Sequence, residues 1–161
     1  MLMTKQTSVS AKVAQMEGLW WIVTALIAIA VVFPIYYAAG AYRFMIQNII
    51  YVVAFITFTR YLFLLPFTFL ARRQLGKQII IFACIPAIFF LVQELNTFQT
   101  FLDENSMEAI IGPLPSKKAI SIGEYLHAEM LLFAVGAIIA GVLLPFRLGL
   151  SIWRTRNRDT V

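Results

Sequence analysis

Four stretches of this chain stay apolar for longer than a soluble helix requires, and short polar segments separate them. A helix of about twenty apolar residues crosses the hydrocarbon of a bilayer, and only helices or closed barrels satisfy their backbone polar groups there. The apolar runs predict spans over about 19–42, 44–70, 78–98 and 122–144. A polar loop over 99–120 and a basic tail over 146–161 complete one membrane domain, 1–161. The fold expected is an all-α integral membrane protein, a four-transmembrane-helix bundle.

Local signals refine the boundaries. Val9, Val13, Met16 and Trp20 fall on one helical face, which predicts a short N-terminal interfacial helix leading into span 1. Trp20 and Trp21 at one end of that span, and Tyr36, Tyr37 and Tyr42 toward the other, are placed as interfacial aromatics are. Ala39-Gly40-Ala41 resembles a signal-peptide cleavage site, but the apolar run is longer than the 7–15 residues or so of such a leader, so the span is expected to stay. Pro34 is expected to kink it. Asn105-Ser-Met-Glu108 fits the cap of a short surface helix that Gly112-Pro-Leu-Pro115 would end. Ser121-Ile-Gly-Glu124 has the spacing of a capping box and predicts the start of span 4, which Pro145 should bend or break.

Composition agrees with the pattern. The chain is 61% hydrophobic and 13% charged, against about 25% charged in soluble domains. The net charge of +5 does not indicate nucleic acid, because the basic residues collect at span ends. With four spans, one side carries Lys5, Lys12, Arg72, Arg73, Lys77, Arg147, Arg154, Arg156 and Arg158, and the other only Arg43, Lys117 and Lys118. The positive-inside rule then predicts an inner or plasma membrane protein with both termini cytoplasmic. Arg72, Arg73, Lys77, Arg147, Arg154, Arg156 and Arg158 are the candidate contacts to anionic headgroups.

One charge departs from this scheme. Arg60 interrupts an apolar run, and an intramembrane charge is costly unless paired. It precedes Arg72 by twelve residues, about 18 Å from the cytoplasmic end, which places it near mid-bilayer. By the same measure Glu94 and Glu129 lie in the outer half of the bilayer, with Gln93 and His127 close by. Glu94 shares a helical face with Ala83, Ala87 and Phe90, and Glu129 shares one with Phe133, Gly136 and Ala140. Small residues mark sides where transmembrane helices approach closely. An Arg60–Glu94 contact is therefore expected first, and Arg60–Glu129 second.

Chemistry beyond that contact is sparse. The single cysteine, Cys84, excludes an internal disulfide, and the single histidine, His127, cannot build a bis-histidine haem site alone. No G-x-S-x-G, H-E-x-x-H or Walker-type motif is present. No enzyme activity, cofactor or metal is expected. The reading that follows is a non-catalytic integral subunit of a larger membrane complex, its partners other membrane subunits or itself and the anionic bilayer. The alternative is a small oligomeric channel or transporter whose ion or proton pathway passes Arg60, Glu94 and Glu129.

Overall fold

A computed structural model describes the backbone of residues 2–71 and 73–158, with side chains from residue 13 onward except those of Ser116 and Arg158. Arg72 and the side chains of Val9, Lys5, Lys12 and Arg158, all singled out above, lie outside the described residues. The elements run in the order α1 (Leu2–Ala39), α2 (Met45–Leu64), α3 (Gln74–Glu104), α4 (Glu108–Ile111) and α5 (Ser116–Arg158). Two 3₁₀ turns, Leu65–Phe67 and Phe69–Ala71, join α2 to α3. Four of the helices hold segments long and apolar enough to cross a membrane: Val13–Ala39, Met45–Phe67, Gln74–Glu104 and Lys117–Asn157. The described residues contain no strand.

Several boundaries differ from the sequence expectation, each for an identifiable reason. No separate interfacial helix precedes span 1; α1 is continuous from Leu2. It runs through Pro34 and stops at Ala39, where Gly40 takes a φ of +73° that residues with a Cβ rarely adopt. Span 2 is shorter than expected. The α-helix ends at Leu64, Pro66 lies in the 3₁₀ turn that follows, and the extended Thr68 separates that turn from Phe69–Ala71. Most of the expected 99–120 loop is helical: α3 continues to Glu104 and α5 starts at Ser116, straight after Pro115. Ser121-Ile-Gly-Glu124 thus lies inside α5, a capping-box spacing without the terminus it should mark. The short α4 does form where the loop motif suggested, without a side-chain cap, and Gly112 ends it at φ +75°. Pro145 neither breaks nor ends α5. It removes one backbone donor, while Leu144 and Leu148 on either side are fully buried and hold both segments in place.

Packing follows from the stripe each helix buries. On α5, Leu126, Met130, Ala134, Ala137, Leu144 and Leu148 form one buried line, and α5 lies against both α2 and α3. On α3 the buried positions are Lys77, Cys84, Leu91 and Phe98, one every seven residues, a narrow seam. The predicted α3 packing face is therefore offset by one residue: Ala83 and Phe90 are exposed and Ala87 is half-buried. Small size alone did not locate the contact, because the seam is filled by larger side chains. The α5 face is as expected. Ala140 is buried, and a Cβ on Gly136 would come within 2.7 Å of the Phe55 ring, so glycine lets α2 and α5 approach. On α1, Thr24, Ala28, Val32 and Ile35 make the buried stripe that faces the bundle.

Candidate functional site

The polar side chains inside the bundle sort into two layers at opposite ends of α2. At the end near the α1–α2 connection, Asn48 on the first turn of α2 is fully buried. Its Nδ2 donates to the Tyr42 phenol oxygen at 2.8 Å and to Oε1 of Glu129 on α5. On the neighbouring face, the preceding residue Gln47 donates from Nε2 to Glu94 Oε2 on α3 at 3.3 Å. Asn48 Oδ1, Tyr51 Oη and Glu129 Oε2, all buried in this layer, have no hydrogen-bond partner among the described residues. Tyr42 sits in the connection between α1 and α2. Burial pushes its phenol well above the ordinary range, the Asn48 hydrogen bond opposes this, and the nearby Glu129 carboxylate adds to the rise.

The second layer lies at the end that gathers the α1 N-terminal half, the α2–α3 connection and the C-terminal part of α5. Arg60 is buried there, and its Nη2 meets Oε2 of Glu17 on α1 at 2.5 Å. The other Glu17 oxygen accepts the Phe69 backbone N–H at 3.1 Å. The Arg60 guanidinium also lies 5.5 Å from the Trp20 ring and 5.3 Å from the Tyr61 ring, within cation–π range. Its Nε has no partner.

This arrangement corrects the expected contact. Among the described residues no ion pair joins Arg60 to Glu94 or Glu129. Arg60 is only four residues from the end of α2, about 6 Å of rise, and its side chain meets Glu17 of α1 at that end. Asn48 and Arg60 are twelve residues apart, about 18 Å along α2, with apolar packing of Val52, Phe55 and Phe58 between them. Glu94 and Glu129 do share the layer near the α1–α2 connection, each held by a different α2 amide. Gln93 and His127 do not join them. Gln93 is exposed, and His127 is exposed with its ring 6.4 Å from Phe98.

The predicted headgroup residues divide as well. Arg73, Arg154 and Arg156 are exposed, and Arg147 is half-buried. Lys77 is not a surface contact. Only 1% of it is exposed, and its Nζ donates to the Ala71 carbonyl at 2.9 Å and to Ser151 Oγ at 3.1 Å. It ties the start of α3 to α5. No three His, Cys, Asp or Glu side chains gather among the described residues as a metal site would need.

Glu17 is the partner that sequence reasoning missed, yet the signal was present. It continues the Trp20, Thr24, Ala28 line at helical spacing, on the face that packs. Asn48, Tyr42 and Tyr51 carried no comparable signal, because their role depends on which turn of α5 lies opposite. Comparison with known proteins adds no relative: no protein-family model matches the chain, and neither a curated protein nor a solved structure matches it.

Proposed function

We propose that the chain is a non-catalytic integral membrane subunit that packs within a larger membrane assembly, in an inner or plasma membrane with both termini cytoplasmic. The observation that carries this reading is an unfilled apolar groove of about 380 Å³ between α1 and α2. Its α1 wall includes Ala25, Ala28 and Val32, and its α2 wall Met45, Ile49 and Val53. Small residues beside an open groove are what a further transmembrane helix needs for close approach. The internal charges support the same reading, because Arg60 is engaged by Glu17, Glu94 by Gln47 and Glu129 by Asn48. They fasten helices to one another across α1–α2, α2–α3 and α2–α5. The bias of basic residues toward the end bearing the termini supports the orientation.

A photo-crosslinker at Ala25, an exposed groove position, activated in native membranes, tests the reading. A defined crosslink to one other membrane protein, lost when the exposed Ile49 on the opposite wall is enlarged to Trp, is the expected result. Crosslinking only to lipid would remove it. A second reading, an oligomeric ion or proton pathway, has one observation in its favour: the three unpartnered oxygens of the layer near the α1–α2 connection. A homo-oligomer that passes ions in liposomes, and stops with Glu129→Gln, would favour that reading over the first.

A further inference from the structure

We propose that the cleft between the Leu65–Ala71 connection and the C-terminal part of α5 binds a phosphate group. The inference is independent of the subunit reading. The cleft has a volume of about 440 Å³, and its α5 wall is Arg147, Ser151, Arg154 and Thr155. These residues fall at i, i+4, i+7 and i+8, so the helix projects two guanidiniums and two hydroxyls along one side. Leu65, Pro66 and Ala71 form the opposite wall. The volume lies in the range of about 300–1,000 Å³ usual for small-ligand sites.

The charge of the cleft is unbalanced. Among the described residues no carboxylate lines it, and neither Arg147 nor Arg154 has an ion-pair partner. Glu17, the described acid nearest this end in the sequence of contacts, is already held by Arg60 and the Phe69 N–H. A third cation stands behind the wall, because the buried Lys77 ammonium donates to Ser151 Oγ at 3.1 Å. With its oxygen accepting from Lys77, the Ser151 hydroxyl has its own proton to give, and no acceptor among the described residues takes it. Two forked guanidiniums flanking a hydroxyl donor that a lysine polarises suit a tetrahedral oxyanion with several acceptor oxygens. A basic pocket between helices at this end of a bundle can take that group from a phospholipid headgroup or from a free phosphate.

The experiment uses the full chain, stripped of lipid in mild detergent. Phosphatidylglycerol and phosphatidylcholine binding is counted by native mass spectrometry, and inorganic phosphate binding is followed by the shift in thermal unfolding. If a lipid headgroup is the source, phosphatidylglycerol binds at least tenfold better than phosphatidylcholine. Arg147→Gln with Arg154→Gln should then lower that binding at least fivefold, while the charge-matched control, Lys117→Gln with Lys118→Gln at exposed positions outside the cleft, changes it less than twofold. If a free phosphate is the source, inorganic phosphate raises the unfolding temperature, and the same pair alone abolishes the shift. Binding of neither probe, or equal losses in both pairs, overturns the proposal. Arg154→Gln alone, at an exposed side chain, carries the comparison if the double variant fails to fold.

Discussion

Arg60 on α2 reaches back to Glu17 on α1 at 2.5 Å, and this pair is the polar tie between the first helix and the rest of the bundle at the end carrying the termini. Both side chains are largely shielded, 5% and 14% exposed, so removing one leaves a poorly solvated charge behind. Breaking a buried pair from one side costs about 3–5 kcal/mol, whereas replacing both by apolar groups is often near neutral. Glu17→Gln is expected to fall below that range, by about 2–3 kcal/mol, because the amide can still accept from Phe69 and Arg60 keeps its aromatic neighbours. Glu17→Leu with Arg60→Met should recover most of the loss. Reversible unfolding in mixed micelles, run as a double-mutant cycle, reads both. Additive losses would show that the two side chains are not coupled.

Asn48 makes the counterpart of that tie in the layer near the α1–α2 connection, with one amide nitrogen serving Tyr42 and Glu129. Asn48→Leu keeps the volume but removes both donors, so the Glu129 carboxyl loses its polar partner among the described residues. Interhelical hydrogen bonds in membranes average about 0.6 kcal/mol and reach about 1.7, which puts the expected loss at about 1–2 kcal/mol. Asn48→Asp should be worse, because it sets a second carboxyl against the first. The same unfolding assay ranks the two. A leucine variant as stable as the parent would show that the layer contributes nothing to folding.

Legibility in the sequence divides along physical lines. The four long apolar helices could be seen because hydropathy needs only composition over a window, and Gly136 and Ala140 on α5 repeat at helical spacing. Helix ends were less visible. The Ser121–Glu124 spacing imitates a terminus, and Pro115 won the contest five residues earlier. The partner of Arg60 is not legible from residue counting, because residues 65–71 form two 3₁₀ turns and do not continue α2. Glu17 was passed over because it lies before the apolar run, although its register with Thr24 and Ala28 put it on the packing face. Lys77 reads as a surface cation in any one-dimensional scheme. Only the three-dimensional fold brings Ala71 and Ser151 around it.

Lys77 therefore gives a prediction opposite to that for an ordinary headgroup contact. Lys77→Met preserves the length of the stem but deletes two hydrogen bonds, and leaves the Ala71 carbonyl without its donor. A loss of about 1–3 kcal/mol is expected, and it should persist in micelles that contain no anionic lipid. Arg156→Gln, at an exposed position, should change stability by less than about 0.5 kcal/mol. A lysine variant that loses stability only when anionic lipid is present would return Lys77 to the surface role.

The glycines of α5 separate close packing from helix propensity. A Cβ at Gly136 would stand 2.7 Å from two carbons of the Phe55 ring, well inside contact distance. Gly136→Ala should cost about 1–3 kcal/mol by overpacking, and Phe55→Leu in the same chain should relieve part of it by vacating the ring. At Gly149 nothing lies within 4 Å of the added carbon, although the residue is equally helical. There the usual preference for alanine acts alone, and Gly149→Ala should stabilise by about 0.5–1 kcal/mol. The two substitutions make the same chemical change on one helix, so opposite signs can arise only from what α2 presents to each. Equal signs would mean that α2 and α5 do not approach as closely at Phe55 as the packing requires.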